Sequence, residues 1–477
     1  MDEMAFDSAE AIWAQITFGE ADLGDKRRTK RLTAMAAAVA KSPAGNVTQV
    51  FRTGADRESA YRFVENEDVD PQAIVKAMRF AVVERCADEE FVFVAIDGSS
   101  VHLADHLRMK DYGSIGSRKK GGRGLKVTAG LAVSSAGVPI GLTSLNMWAR
   151  GKKQKVHRSK RSLMEKESKY VAEANVTTVN AFAERKSSCR VWSQMDREND
   201  AIQLLEVFSS TEQWYTVRAS ANRRINKDAN QATYVYDAIA RKGAHRGTYT
   251  LDIPAGYKRS ARRASMSVRA APVKLLLRDR RNRRGQELQL HAVHVRESSY
   301  VGDGEERIEW LLYTNHPIET DEDLALIIFG YCQRWRIEDF FRVWKTTGCN
   351  VEATQLHSTH SVRIWGTMLA AVAARIERMK HLARTEPYRP ATIEFTEDEI
   401  DAIMLLKTKL KKKKEQIPTG IPTIEEVVRW IAELGGYTGK ASGGPPGAVT
   451  IRRGMERLAM FVEALQILRN KAIPRCD

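Results

Sequence analysis

The sequence predicts an α/β protein: a mixed sheet flanked by helices, extended by a β-strand insertion and bracketed by helical N-terminal and C-terminal domains. Three observations carry that expectation. Residues 91–149 hold three β-rich runs divided by glycine and polar turns, and a helical segment then leads into a further short apolar run. Residues 219–306 become arginine-rich and strand-like. Alanine-rich and amphipathic helical patterns occupy both ends. At 477 residues the chain exceeds what one core supports, so roughly two to four domains are expected. The boundaries read as 1–75, a helical N-terminal module; 76–375, an α/β domain with the β-insertion at about 219–315; and 376–477, a helical C-terminal domain.

The elements follow in order. LGDKRRTKRL, LTAMAAAVAK and ADRESAYRFV make the first module helical and basic. FVFVAI (91–96), GLKVTAGLAV (124–133) and GVPIGLTSLNMWA (137–149) read as consecutive strands. Helical EKESKYVAEANVTTVNAFAER precedes CRVWSQM (189–195), which ends at Asp196 before amphipathic AIQLLEVF, giving a β-β-β-α-β-α order. GTYTLDI, ELQLHAVHV and RIEWLLYT form what looks like an inserted β-subdomain. Helical YCQRWRIEDFFRVWK and WGTMLAAVAARIERMKHLA follow, then a turn near EPYRPAT and the helices around IEEVVRWIAELGG and GMERLAMFVEALQILR. No internal repeat is visible.

Composition narrows the partner. Seventy-six Lys and Arg against sixty Asp and Glu leave a formal charge of +16, which points to a polyanion, nucleic acid first. The five cysteines are scattered without a C-x-x-C pair, so neither a zinc site nor a disulfide framework is expected. The acidic N-terminus and the lack of a long apolar run predict no export signal and no membrane span, hence a cytoplasmic protein.

Tyr331, Arg334, Glu338 and Lys345 share one helical stripe. At about 100° per residue their offsets place all four within an arc of roughly 60°. Ile328, Trp335, Ile337, Phe340, Phe341, Val343 and Trp344 fill the remaining circumference, so the helix is expected to be buried except along the stripe. One carboxylate, two cations and a phenol are costly to bury unless a charged ligand meets them, and a metal ion with a phosphate satisfies all four.

Two further carboxylates sit at strand ends, Asp97 and Asp196. Each has a plainer reading: Asp97-Gly98 resembles a hairpin turn, Asp196 suits a helix N-cap, and Glu338 is placed to pair with Arg334 or Arg342 on a solvated face. Together, in this order of elements, two strand-borne aspartates and one helix-borne glutamate form an RNase H-like arrangement. Such oxygen ligands suit Mg²⁺, and two ions activate the attacking oxygen and stabilise the leaving one in an in-line displacement.

The chain resembles the bacterial DDE transposases of the insertion sequence four group. The spacing Y-x-x-R-x-x-x-E-x-x-x-x-x-x-K at Tyr331, Arg334, Glu338 and Lys345 carries the likeness, with DREND (196–200), AIDGSS, MWAR, EKES and ELGGYTGK in support. Gly98 and Ser99 stand where the family pattern has two threonines. The resemblance implies Asp97, Asp196 and Glu338 as ligands of two Mg²⁺ ions per active site, with Mn²⁺ able to substitute. It implies Tyr331, Arg334 and Lys345 on phosphates beside the scissile bond and Trp310 stacked near a flipped base. It further implies cut-and-paste transposition through nicking, hairpin formation and opening, and joining of 3′-hydroxyls to target DNA, carried out by a homodimer that holds two transposon ends. A structure-selective nuclease on the same fold and a catalytically silent DNA-binding relative are the rival readings.

Several basic residues are candidate DNA contacts. Arg27, Arg28, Lys30 and Arg31 alternate along a helix and suit phosphate contact. Arg218, after the strand WYTV, is a candidate for the transposon end. RKKGGRG (118–124), GKKQKVHRSKR (151–161), KRSARR (258–263), RDRRNRR (278–284) and KTKLKKKK (407–414) extend the cationic track; each alone reads as a solvated run.

Overall fold

The computed structural model describes residues 8–116, 121–151, 156–157, 160–225, 233–242, 244–253, 255, 260–278, 285–302, 304–410, 416–440 and 443–471. Much of the five cationic runs therefore lies outside the described residues.

Short helices open the chain: α1 (Ala9–Phe18), α2 (Lys26–Lys41), α3 (Val47–Val50), α4 (Gly54–Val64) and α5 (Pro71–Arg85). Each start has a local cause. Ser8, Asp25, Thr53 and Asp70 accept backbone N–H groups of the first turns of α1, α2, α4 and α5, and Pro71 presets the helical φ of the last.

The sheet begins with β1 (Phe91–His102), β2 (Gly113–Ser114), β3 (Arg123–Val133) and β4 (Pro139–Trp148). Helix α6 (Lys169–Glu184) leads to β5 (Arg190–Met195), and α7 (Ile202–Ser209) to β6 (Trp214–Arg218). β4 pairs with β3 and β3 with β1, all antiparallel, while β1, β5 and β6 run parallel. This is a mixed sheet of RNase H-like order, with one apolar cluster on each face.

The insertion holds α8 (Val235–Lys242), β7 (Ala244–Ile253), β8 (Arg262–Arg278) and β9 (Gly285–Glu297), and returns through β10 (Glu309–Thr314). It is not a separate subdomain as the sequence suggested. β10 pairs with β6 on one side and β9 on the other, so the order β6-β10-β9-β8-β7 continues the core sheet. An edge left bare at β6 would expose unpaired backbone groups, and the insertion covers it.

A buried ion pair locks the insertion. Arg262 donates from Nε and Nη2 to Glu297 at 2.8 and 2.9 Å, and Glu297 also accepts the Ile308 backbone N–H at 3.0 Å. The Arg262 hydrogen bond, aided by Ile308, outweighs burial and holds the Glu297 carboxyl down at about 2. A depressed carboxyl stabilises the fold fully above its ordinary value near 4.5 and loses that contribution as pH falls toward about 2. Arg262→Met strands a buried carboxylate and is expected to cost about 3–5 kcal/mol. Thermal denaturation at pH 7 measures this, and the difference from wild type should shrink as the pH is lowered below 4.

The chain then forms α9 (Asp321–Gln333), α10 (Arg336–Arg342), α11 (Thr359–Thr385), α12 (Glu397–Leu410), α13 (Ile424–Leu434) and α14 (Ala448–Lys471). α9 and α10 pack on one face of the sheet. Gly330 sets that distance: a Cβ there would lie 2.4 Å from the Phe93 ring on β1. α11 is almost wholly buried and joins the sheet to α13 and α14. Among the described residues no helix is long and apolar enough to cross a membrane.

Candidate active site

The striped segment is not one regular helix. α9 stops at Gln333, and the backbone tightens to three-residue hydrogen bonds from Arg334 to Tyr331 and from Trp335 to Cys332 before α10 begins. Beyond Arg342 it widens into a π-helical turn over Val343–Thr347. Two corrections follow. Trp335 is not part of the buried circumference but 57% exposed, with the Arg334 guanidinium carbon 5.3 Å from its ring centroid. Nor is the stripe open along its length, because Tyr331 and Arg334 are only 3% and 6% exposed.

Asp97 also departs from expectation. It does not end its strand, and Asp97-Gly98 is no turn: β1 runs on to His102, paired residue by residue with β3. The polar stretch Gly98–Ser100 hid this extension from sequence patterning. Asp196 does follow the last residue of β5, and Met195 pairs with Ile96, so the two aspartates leave adjacent parallel strands at one level. The N-cap reading of Asp196 holds as well, since its Oδ1 accepts from the Glu198 backbone N–H at 2.9 Å and Asn199 Nδ2 at 3.0 Å.

Arg334 joins the strand to the helix. Its Nη1 donates to Asp97 Oδ2 at 2.8 Å and its Nη2 to Glu338 Oε1 at 2.9 Å. The plainer reading of Glu338 as an intrahelical partner of Arg334 is therefore true of this state, with Asp97 added. Burial pushes the Asp97 carboxyl up to about 6; Arg334 pulls against that shift, while Asp196 and Glu338 reinforce it. Asp97 thus feels the charge of both other carboxylates.

The chemistry of the donors fits a divalent cation. Asp97 and Glu338 already converge on one internal cation, the guanidinium, and Asp196 keeps Oδ2 free of the hydrogen bonds that hold Oδ1. A different group of possible ligands, Asp339, Glu377 and His381, lies between α10 and α11. Lys380 Nζ sits 2.6 Å from Glu377 Oε2 and 3.6 Å from Asp339 Oδ2. An ammonium already supplies the positive charge in that group.

The remaining candidates surround this core. Trp310, half-buried on β10, meets the Tyr331 ring edge-on at 5.5 Å. Arg218, at the end of β6, donates to the Glu309 backbone oxygen at 3.2 Å and also hydrogen-bonds Tyr331, whose phenol is raised by burial and held back by Arg334 and Arg218. Lys345 lies on the π turn, and its Nζ reaches Ser99 Oγ at 3.4 Å and Glu352 Oε1 at 3.7 Å. Sequence reading passed over Ser99 and Glu352. Two-residue strand periodicity from Asp97 points to Ser99; nothing in the sequence points to Glu352, which reaches β1 only through the tertiary fold by accepting the His102 N–H at 2.9 Å.

The basic residues of α2 stand apart from this centre. Arg27 and Lys30 are exposed, Arg28 pairs with Asp68, and Arg31 is half-buried. Arg27 also pairs with the N-cap Asp25 at 3.0 Å.

Comparison with protein families places this fold among the DNA transposases. Residues 10–69 match the transposase DNA-binding family, 190–374 the transposase DDE domain, and 371–473 the transposase Tn5 dimerisation domain. The chain belongs to the Tn5-like bacterial DDE transposases. Membership brings a DNA-binding domain, a dimerisation domain and a DDE domain, which implies use of a divalent metal.

Proposed function

We propose that this protein is an active cut-and-paste transposase of the bacterial cytoplasm. As a homodimer it binds terminal inverted repeats, nicks one strand at each end, forms and reopens a hairpin, and joins the 3′-hydroxyls to target DNA. The observation that carries the reading is the meeting of Asp97, Glu338 and Arg334, with Asp196 on the neighbouring strand at the same level.

Asp97, Asp196 and Glu338 hold two Mg²⁺ ions, with Mn²⁺ as a substitute. When bound, the ions supply an activated attacking oxygen and a stabilised leaving one. Arg334 gives up the carboxylates and turns its two-pronged guanidinium to the phosphate, a geometry that a planar fork favours. Tyr331 is held between Trp310, Arg218 and Arg334, so its hydroxyl has little freedom to wander from the strand being cut. Lys345, set apart by the π turn, grips a phosphate farther along the strand. The exposed Arg27 and Lys30 of α2 contact the backbone of the transposon end. Arg28 holds that helix in place through Asp68, and Arg31 reaches a phosphate from its flank.

Incubation with Mg²⁺, DNA carrying the element's ends and a target plasmid should yield hairpin-ended excision products and joined target. Cleavage without joining would favour the structure-selective nuclease, and end binding without a nick would favour the silent relative. Trp310→Ala separates the steps: hairpin formation should fall about tenfold more than first-strand nicking, because the lost stacking surface is worth about 1–3 kcal/mol per base. Gel analysis of single-turnover reactions resolves the two products, and equal loss of both would contradict the stacking role.

A further inference from the structure

The face of the β1–β3 pair opposite Asp97 carries a cation without a counter-ion. Side chains alternate across a strand, so Asp97, Ser99 and Val101 share one face while Ser100 and its direct partner Lys126 share the other. Lys126 is half-buried. Its Nζ donates to Ser100 Oγ at 3.0 Å, and among the described residues no carboxylate lies within ion-pairing distance of it. Burial lowers the Lys126 ammonium most; of the nearby charges Arg150 also lowers it, Glu167 and Glu198 pull it back up, and Lys345 adds a smaller lowering.

The surroundings suit a polyanion. Across the next strand pairing, Lys126 faces Trp148, which stacks on Tyr170 with ring centroids 3.7 Å apart. Arg150, two residues beyond Trp148, is held by Glu167 through bonds of 2.5 and 2.7 Å. Gly98 is exposed beside them, with only the Val127 carbonyl within 4 Å of where a Cβ would stand. A half-buried ammonium that donates to one hydroxyl and makes no ion pair among the described residues is an unfavourable arrangement by itself. An added anion relieves it.

We infer that Lys126 and Ser100 form a phosphodiester-binding site on the far face of β1, holding DNA beside the strand being cut. This rests on the reading of the chain as a DNA-cutting transposase. Three residues of strand separate Lys126 from the level of Asp97, about 10 Å, so the bound phosphate lies within a few nucleotides of the reacting one. Phosphodiesters reach such a site from the transposon end or from target DNA, and both present the same chemistry.

The test compares wild type with Lys126→Met and Lys126→Arg, using a labelled end duplex over a salt series and then pre-cut ends with increasing target plasmid. If the transposon end occupies the site, Lys126→Met binds the duplex about tenfold more weakly at 0.15 M salt and its log–log salt slope falls by about one. If target DNA occupies it, end binding is unchanged and the target concentration giving half-maximal joining rises about tenfold. Lys126→Arg restores the affected quantity in either case, and thermal denaturation should show Lys126→Met to be folded and no less stable than wild type. Unchanged end affinity, salt slope and target dependence in a folded Lys126→Met would overturn the inference. Failure of the wild type to bind DNA at all would instead sink the underlying functional reading.

Discussion

Glu338→Ala is expected to reduce strand cleavage by more than about 10³-fold, because the proposed mechanism makes it a metal ligand rather than a group that merely orients one. End binding should survive. Glu338 is a helix-surface carboxylate whose side chain is 39% exposed, and its loss leaves Arg334 still paired with Asp97, so the fold should weaken by less than about 1 kcal/mol. Gel-shift titration, thermal denaturation and a nicking assay in Mg²⁺ read the three quantities separately. Wild-type nicking by Glu338→Ala would remove this residue from the metal site, and loss of end binding together with nicking would point to a structural role.

Arg334→Ala should move two measurements in opposite directions. The Arg334 guanidinium holds Asp97 and Glu338 through two charge-assisted hydrogen bonds. On the proposed mechanism a metal ion displaces it, and removing that competitor should tighten Mn²⁺ binding by about tenfold or more, at about 1.5–3 kcal/mol per bond to a charged group. With DNA present the same residue is expected to grip a phosphate, so cleavage should fall by about 10²–10³-fold. Titration calorimetry or Mn²⁺ electron paramagnetic resonance without DNA gives the first value, and single-turnover nicking gives the second. Weaker Mn²⁺ binding in the variant would mean that Arg334 organises the carboxylates instead of competing for them. Such a competitor couples metal binding to substrate: a phosphate that draws Arg334 away frees both ligands at once.

Those outcomes depend on contacts that the sequence reveals unevenly. Helical spacing alone was enough to group Tyr331, Arg334 and Glu338, because three and seven residues return to one side of a helix whatever surrounds it. The same rule misplaced Trp335 and missed the turn of Lys345 toward Ser99. It assumes a constant rise and twist, whereas the backbone tightens at Arg334 and widens after Arg342. Asp97 was identified as a candidate ligand but assigned to a strand end, since Gly98, Ser99 and Ser100 lack the apolar alternation that marks a strand. Pairing with β3 keeps them extended all the same. Lys126 could not be distinguished from the other lysines, because its burial and its partner Ser100 are set by strand pairing between segments distant in the chain.

By itself the sequence determined the α/β class, the β-β-β-α-β-α order, the helical ends, the surplus of positive charge and the residue types able to bind metal and phosphate. Periodicity and composition act over a few residues, and those features need nothing more. Only the tertiary structure decided that the insertion extends the core sheet, that Arg334 bridges Asp97 to Glu338, and that Lys126 pairs with Ser100 on the opposite face of β1 from Asp97. Each of these depends on which distant segments come within a few ångströms, and pairing between strands and packing of helices set that distance.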